Sequence, residues 1–318
     1  MFKKFLFSCF IILLPHFCFS ETFLKKGDII DIIAPSYGCT ADELKKIKTT
    51  LSTLGYKPRV SNGLNQPTYL NYSNTADFRL NDLKRALYAK DSKIIWTVRG
   101  GYGAQELLNA LEQFPKPETK KIFIGYSDAT NLHLFLNQKW NWPSLHAITL
   151  KFNKNIDPKV NKEESISSLL TFLKAPAFSY PLTALNKPAA KSQHLKSKLI
   201  GGNLSIITAN MGTFNEIETK DKILLLEDVG ETPQRIQRNL LTLKLSGKLD
   251  HADALIFGDF THTNQQLSNR VVKAFSNNLS VPCFKSNLFG HGNKNKPLLL
   301  NYPVTLKVEN KIATLKSD

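Results

Sequence analysis

Short β-branched apolar runs alternate with longer amphipathic stretches through the first half of this chain, and few architectures accommodate that alternation. Residues 28–34 (DIIDIIA) form one such run, ended by Pro35, and read as a buried strand. Thr40 and Glu43 have capping-box spacing and open a helical stretch to about residue 54, closed by Gly55. Residues 74–89 carry Phe78, Leu80, Leu83 and Leu87 at helical spacing. The runs 93–98 (KIIWTV) and 121–125 (KIFIG) predict two more buried strands, each followed by a helix, to about residue 114 and over 128–138. Strands separated by helices of about ten residues or more imply βαβ units and a mostly parallel sheet.

Between 151 and 198 the chain is rich in Lys, Ser and Pro, with one helical patch near 163–173, and reads as a crossing between domains. Beyond it lie strands at 222–226 (KILLL) and 254–257 (ALIF), a helix over 234–245, and a hairpin formed by 304–308 and 312–315. At 318 residues and 42% hydrophobic composition, the chain can bury two cores, which excludes a disordered or collagen-like polymer. The expected organisation is an N-terminal α/β domain over 21–150, a crossing over 151–198 and a C-terminal domain over 199–318.

Residues 1–20 are expected to lie outside the fold. Lys3 and Lys4 precede an apolar run over 5–14, and Cys18 and Ser20 place small side chains just before Glu21. That layout is a signal peptide with cleavage after Ser20, and the run is short of the ~20 residues of a membrane span. The chain is therefore expected to be exported, with a periplasmic destination and no stable membrane span. The formal charge of +16 falls to +14 without that segment, which also removes Cys9 and Cys18. Cys39 and Cys283 remain and read as two separate thiols. A basic chain raises nucleic acid, anionic surfaces and acidic substrates as partners. No helix-turn-helix, zinc or RNP motif supports nucleic acid.

Three strand ends carry the candidate chemistry, because open α/β sheets bind ligands at the carboxyl ends of their strands. The first is Ile124 to Thr130 (IGYSDAT). A nucleophile elbow needs small residues two before and two after the serine, and Gly125 and Ala129 flank Ser127 in that way. On local sequence alone, a helix cap at Ser127 or Asp128 is the simpler reading. The second end, Val98 to Gly103 (VRGGYG), lacks both the dinucleotide fingerprint and the P-loop lysine. Its glycines allow close backbone approach, so Gly101 could supply an oxyanion-hole donor. The third end, Leu224 to Glu231 (LLLEDVGE), closes an apolar strand with Glu227, a carboxylate that needs a partner and could orient a histidine. Asp228 or Glu231 would suit a helix N-terminus.

Among the histidines, His133 lies on the helix after Ser127 and His194 in the polar crossing, and neither position suggests a base. His251 and His262, with Asp253 and Asp259, resemble a metal cluster only loosely, and no metal is expected. His146 reads as an ordinary core residue. His291, between Gly290 and Gly292, stands in a loop that could swing an imidazole into a cleft. The order Ser127, Glu227, His291 is nucleophile, acid, base.

Taken together these segments resemble the LD-carboxypeptidase family of serine peptidases, which includes the microcin C immunity peptidases. The stretches that carry the resemblance are Gly27-Asp28 with Ala34-Pro35-Ser36, Val98 to Gly103, Ile124 to Thr130 and Ile200 to Leu204 (IGGNL). They continue through Leu225 to Glu231 with Arg235 and Arg238, Gly258-Asp259-Phe260 and Gly290-His291-Gly292. At His146-Ala147-Ile148-Thr149 the chain departs from the His-Gly-Pro-Met type segment of many relatives. The resemblance implies a flavodoxin-like N-terminal parallel-sheet domain, a smaller C-terminal α/β domain and an active site between them. It implies a nucleophile at Ser127, a charge-relay Glu227, a general base His291, and oxyanion donors at the backbone N–H groups of Gly101 and Asp128. No cofactor is implied, and a homodimer is. The implied reaction is removal of the terminal D-alanine from murein tetrapeptides, after the L-centre of meso-diaminopimelate, with murein peptides or peptidoglycan fragments as partners. Two other readings make different expectations: the same triad acting on peptidyl or acyl nucleotide conjugates, and a non-catalytic periplasmic solute-binding protein.

Overall fold

The computed structural model describes residues 22–151 and 166–318, so the expected signal segment and the start of the 163–173 helical patch lie outside the described residues. The N-terminal half builds a six-stranded sheet in the order β11-β5-β4-β3-β1-β2. Its strands are β1 (Ile29–Ile33), β2 (Lys57–Val60), β3 (Ser92–Thr97), β4 (Ile122–Gly125), β5 (Ser144–His146) and β11 (Leu298–Leu300). The first five are mutually parallel, while β11 joins from the far end of the chain and pairs antiparallel with β5. Alternation along each strand sorts the faces. Ile32, Trp96, Ile124 and Leu145 enter one core together with α1 (Ala41–Thr53). Ile33, Ile95 and Phe123 enter another, covered by α2 (Ala76–Tyr88), α3 (Leu108–Glu112) and α4 (Thr130–Lys139). The capping box at Thr40 is present, with Glu43 N–H donating to Thr40 Oγ1 and Thr40 N–H to Glu43 Oε2.

The C-terminal half is a closed barrel in the order β10-β6-β13-β12-β7-β8-β9. Its strands are β6 (Ser179–Ala184), β7 (Gln193–Asn203), β8 (Lys222–Val229), β9 (Ala254–Thr261), β10 (Cys283–Gly290), β12 (Pro303–Glu309) and β13 (Ile312–Ser317). β7, β8, β9 and β10 run parallel as neighbours, and the remaining pairings are antiparallel. Three helices, α6 (Leu204–Ala209), α7 (Pro233–Leu245) and α8 (Gln265–Asn277), cover it through Leu204, Ile236, Leu240 and Val272. The stretch 151–198, expected as a crossing, also contributes α5 (Ile166–Lys174), β6 and the first half of β7. Its polar composition hides these strands because the outer half of β7 and most of β6 are solvent-facing barrel wall.

Two features join the halves. One apolar core runs from the sheet (Ile32, Trp96, Leu145) into the barrel (Leu199, Ile223, Leu306, Leu315). The chain between β10 and β11 then leaves the barrel at Gly290 and reaches the edge of the N-terminal sheet, carrying His291 on the way. Cys39 and Cys283 are both free thiols.

Candidate active site

β4 ends at Gly125, and the chain turns sharply into a helical run that starts at Ser127. Ser127 sits at φ 63°, the left-handed region that a non-glycine residue occupies only when its surroundings enforce it. The turn is tight enough that a Cβ on Gly125 would lie 2.6 Å from Thr97 Oγ1 and 2.8 Å from Ala129 Cβ. A Cβ on Gly100 would lie 2.8 Å from Ser127 Cβ, so the missing side chain at Gly100 leaves the nucleophile candidate its space. Gly101, at φ 114°, carries the Tyr37 ring against its Cα. This is the strained strand-to-helix turn of an elbow.

Asp128 ties the segments after β1 and β3 to that turn. Its Oδ2 accepts from Ser36 Oγ at 2.6 Å and from the Ala104 N–H at 2.9 Å, and its Oδ1 accepts from Asn131 Nδ2 at 3.0 Å. Burial raises its carboxyl pKa against those donors. The carboxylate is thus structural, and only the Asp128 backbone N–H, in the first helical turn, remains for an oxyanion.

The expected acid comes from the barrel. Glu227 is fully buried near the end of β8, beside a register shift where Gly258 and Asp259 of β9 together oppose it. Such bulges re-aim side chains. Glycines seal the carboxylate: a Cβ on Gly258 would lie 3.0 Å from Glu227 Cβ, and one on Gly290 would lie 2.9 Å from Glu227 Oε2. Glu227 Oε2 accepts a hydrogen bond from His291 Nδ1 at 2.7 Å. Burial alone would raise the Glu227 pKa, but the charge of His291 and the facing histidines hold it well below the ordinary carboxylate value. With Nδ1 held by the carboxylate, His291 has Nε2 left for proton transfer.

Ser127, His291, Gly101 and Asp128 all line one cavity of about 750 Å³, with Arg99 and Lys151 among its cations. The Tyr126 ring packs on His291 with centroids 4.6 Å apart, so the residue before Ser127 touches the imidazole. Among the described residues no hydrogen bond joins Ser127 to His291; the structure joins Glu227 to His291, two members of the expected triad, and sets Ser127 on the same cavity as His291. Catalytic hydrogen bonds often tighten only in the complex with substrate.

Comparison with known proteins decides the family. Residues 30–147 match the LD-carboxypeptidase N-terminal domain and residues 196–306 the LD-carboxypeptidase C-terminal domain. A putative carboxypeptidase of Rickettsia conorii is 35% identical over 293 residues, 89% of each chain. This chain belongs to the LD-carboxypeptidase family. It is a serine-type carboxypeptidase, a hydrolase. A probable murein peptide carboxypeptidase of Bacillus subtilis is 32% identical over 243 residues, covering 74% of this chain and 73% of its own. The solved structure of a muramoyltetrapeptide carboxypeptidase from Oxalobacter formigenes shares the fold, with a TM-score of 0.72 at 22% identity, covering 91% of this chain and 98% of that one.

Sequence reading of this LD-carboxypeptidase placed Asp228 at a helix N-terminus and quoted the Ile200 to Leu204 segment, but missed how these residues brace the site. Asp228 accepts from Asn203 Nδ2 at 2.8 Å, Ser205 N at 2.9 Å and Ser205 Oγ at 2.7 Å, so it serves the start of α6. The start of α7 is capped by Thr232. Burial first, and then neighbouring Glu227, raises the Asp228 pKa to about 6. Thr130 Oγ1, just after the elbow, accepts from Asn203 N–H at 3.0 Å, and a Cβ on Gly202 would lie 2.6 Å from that oxygen. The Ile200 to Leu204 segment is therefore where barrel and elbow touch. His133 is fully buried, donating from Nε2 to Gly125 O at 3.0 Å and accepting at Nδ1 from Ser144 Oγ at 2.7 Å. His251 and His262 flank the two ends of β9, and no set of metal-ligating side chains gathers among the described residues.

Proposed function

We propose that this carboxypeptidase removes the terminal D-alanine from murein tetrapeptides through an acyl-enzyme on Ser127. The observation that carries the reading is the Glu227–His291 hydrogen bond at 2.7 Å, facing the cavity that also holds the strained Ser127. His291 Nε2 takes the proton of Ser127 Oγ as that oxygen bonds to the scissile carbonyl carbon, while Glu227 holds the imidazole tautomer. The N–H groups of Gly101 and Asp128 stabilise the tetrahedral oxyanion. His291 then passes the proton to the amine of D-alanine, which leaves, and water activated by the same imidazole releases the tripeptide. Arg99, whose guanidinium lies over the Tyr37 ring at 5.4 Å, is a cation on the cavity wall suited to the free carboxylate of the leaving residue.

The reading extends to location. A chain cleaved after Ser20 and carrying +14 charges would meet the anionic cell-wall polymer outside the cytoplasm. Two measurements test the proposal. Mature protein incubated with murein tetrapeptide should release tripeptide and D-alanine, with the C-terminal amide of the same peptide a poor substrate. Turnover of peptidyl or acyl nucleotide conjugates in preference to the tetrapeptide would replace this substrate with the other one. N-terminal sequencing of protein recovered from the periplasm should begin at Glu21.

A further inference from the structure

Among the described residues, two buried side chains beside the expected triad face each other through polar atoms that have no hydrogen-bond partner. His146 is fully buried, and neither Nδ1 nor Nε2 makes a hydrogen bond. Its Nε2 stands 3.6 Å from Glu227 Oε1, which also lacks a hydrogen-bond partner. Leaving buried polar atoms without a hydrogen-bond partner is destabilising. Two such atoms facing each other call for an explanation beyond packing. A movement of roughly half an ångström would bring this contact within hydrogen-bond range and satisfy both.

We propose that His146 is the positioning residue for Glu227, donating from Nε2 to Oε1 across the domain boundary when the site is closed around substrate. The proposal rests on the triad reading above. Glu227 belongs to β8 of the barrel and His146 to β5 of the sheet, so the contact spans the two domains. His291 already holds the other oxygen, Oε2, from the barrel side. The last torsion of a glutamate is broad, so one hydrogen bond leaves the carboxylate plane free to turn and carry the imidazole with it. A second donor on the opposite oxygen fixes that plane. The backbone prepares His146 for the task, because it is paired with Gly125 of β4 on one side and Leu298 of β11 on the other. β11 terminates the crossing segment that carries His291, and Gly125 is two residues before Ser127. His146 is thus tied through short stretches of chain to both the nucleophile and the base. Its ring also lies 6.0 Å from that of Tyr126, which packs on His291.

An Nε2–H donor on Oε1 spreads the charge of Glu227, so its loss concentrates that charge on His291 and favours the imidazolium. The other groups around the couple are Tyr126 at the end of β4, His133 on α4, Asp228 on β8, Asp259 on β9 and Lys285 on β10. All of them remain in place when His146 alone is changed.

The test is the rate of Ser127 labelling by a fluorophosphonate, followed against pH in the full mature chain. His146→Phe should slow labelling about 10- to 100-fold at pH 7, the usual cost of a misplaced reacting group. It should also move the acid limb of the profile to higher pH. His146→Gln, which keeps an amide donor near the Nε2 position, should recover most of the rate and the original limb. An unshifted limb in His146→Phe, or a Gln variant no better than Phe, overturns the proposal. Should His146→Phe not fold, nitrogen-15 histidine spectra of the unmodified protein decide: a proton on Nε2 supports the donor, and one on Nδ1 alone overturns it. Failure of the unmodified enzyme to label at Ser127 would instead overturn the triad reading.

Discussion

The elbow and the acid–base pair face one cavity but are held there by opposite means. Ser127 is placed by backbone: a left-handed φ of 63°, and glycines at 100 and 125 whose missing side chains make room. Glu227 and His291, 64 residues apart, are placed by burial and a 2.7 Å hydrogen bond at the end of two barrel strands. The nucleophile half should therefore be sensitive to added carbon, and the acid–base half to altered charge or hydrogen bonding.

Substitutions that separate these sensitivities rank by size. Ser127→Ala removes the attacking oxygen and should lower kcat by roughly 10⁶-fold, the scale of losing a serine-protease nucleophile, with an unchanged melting temperature. Activity within tenfold of the unmodified enzyme would discard Ser127. Glu227→Gln keeps the shape but loses the charge that fixes the histidine tautomer, and should cost about 10⁴-fold in kcat with little change in KM. Gly100→Ala adds one methyl at 2.8 Å from Ser127 Cβ. It should cost about 10²-fold in labelling of Ser127 through displacement alone. If Gly100→Ala proves silent while Glu227→Gln is severe, backbone crowding does not set the nucleophile, and the contrast between the two halves fails.

The same contrast governs how much could be read before folding. The elbow left a local trace, since Gly125, Ser127 and Ala129 lie within five residues after an apolar run, but that trace alone fitted a helix cap better and the family resemblance was needed to favour the elbow. Gly101 came from the glycines of a second strand end and Asp128 from the resemblance, and both line the cavity. Glu227 was visible as a carboxylate closing an apolar strand, and His291 as a histidine between glycines, but only the family resemblance joined them. The glycines at 258 and 290 explain why that resemblance was carried by such sparse motifs, since both pack against Glu227. Barrel closure left no local trace. β6 and the outer part of β7 are polar, and β11 is three residues that join a sheet built about 150 residues earlier. His146 read as core, correctly in burial; its approach to Glu227 depends on two domains meeting, which no spacing records.

The smallest expected effect separates bracing from catalysis within the elbow itself. His133 supports the turn from behind, through Gly125 O and Ser144 Oγ, and burial pushes its pKa down to about 3. A histidine whose folded pKa lies below the unfolded value of about 6.5 binds fewer protons in the native state. Its contribution to stability is therefore complete above pH 6.5 and is lost progressively as pH falls toward 3. Between pH 7 and pH 5 that linkage amounts to about 2 kcal/mol. Replacing His133 with Gln, which can still donate to a carbonyl, should flatten the fall in melting temperature over this range. The acid limb of Ser127 labelling should stay where it was, because His133 faces Gly125 and Ser144 and makes no contact with His291. A limb that moved with His133 would place this imidazole in the proton path and remove the distinction between a residue that shapes the elbow and one that works in it.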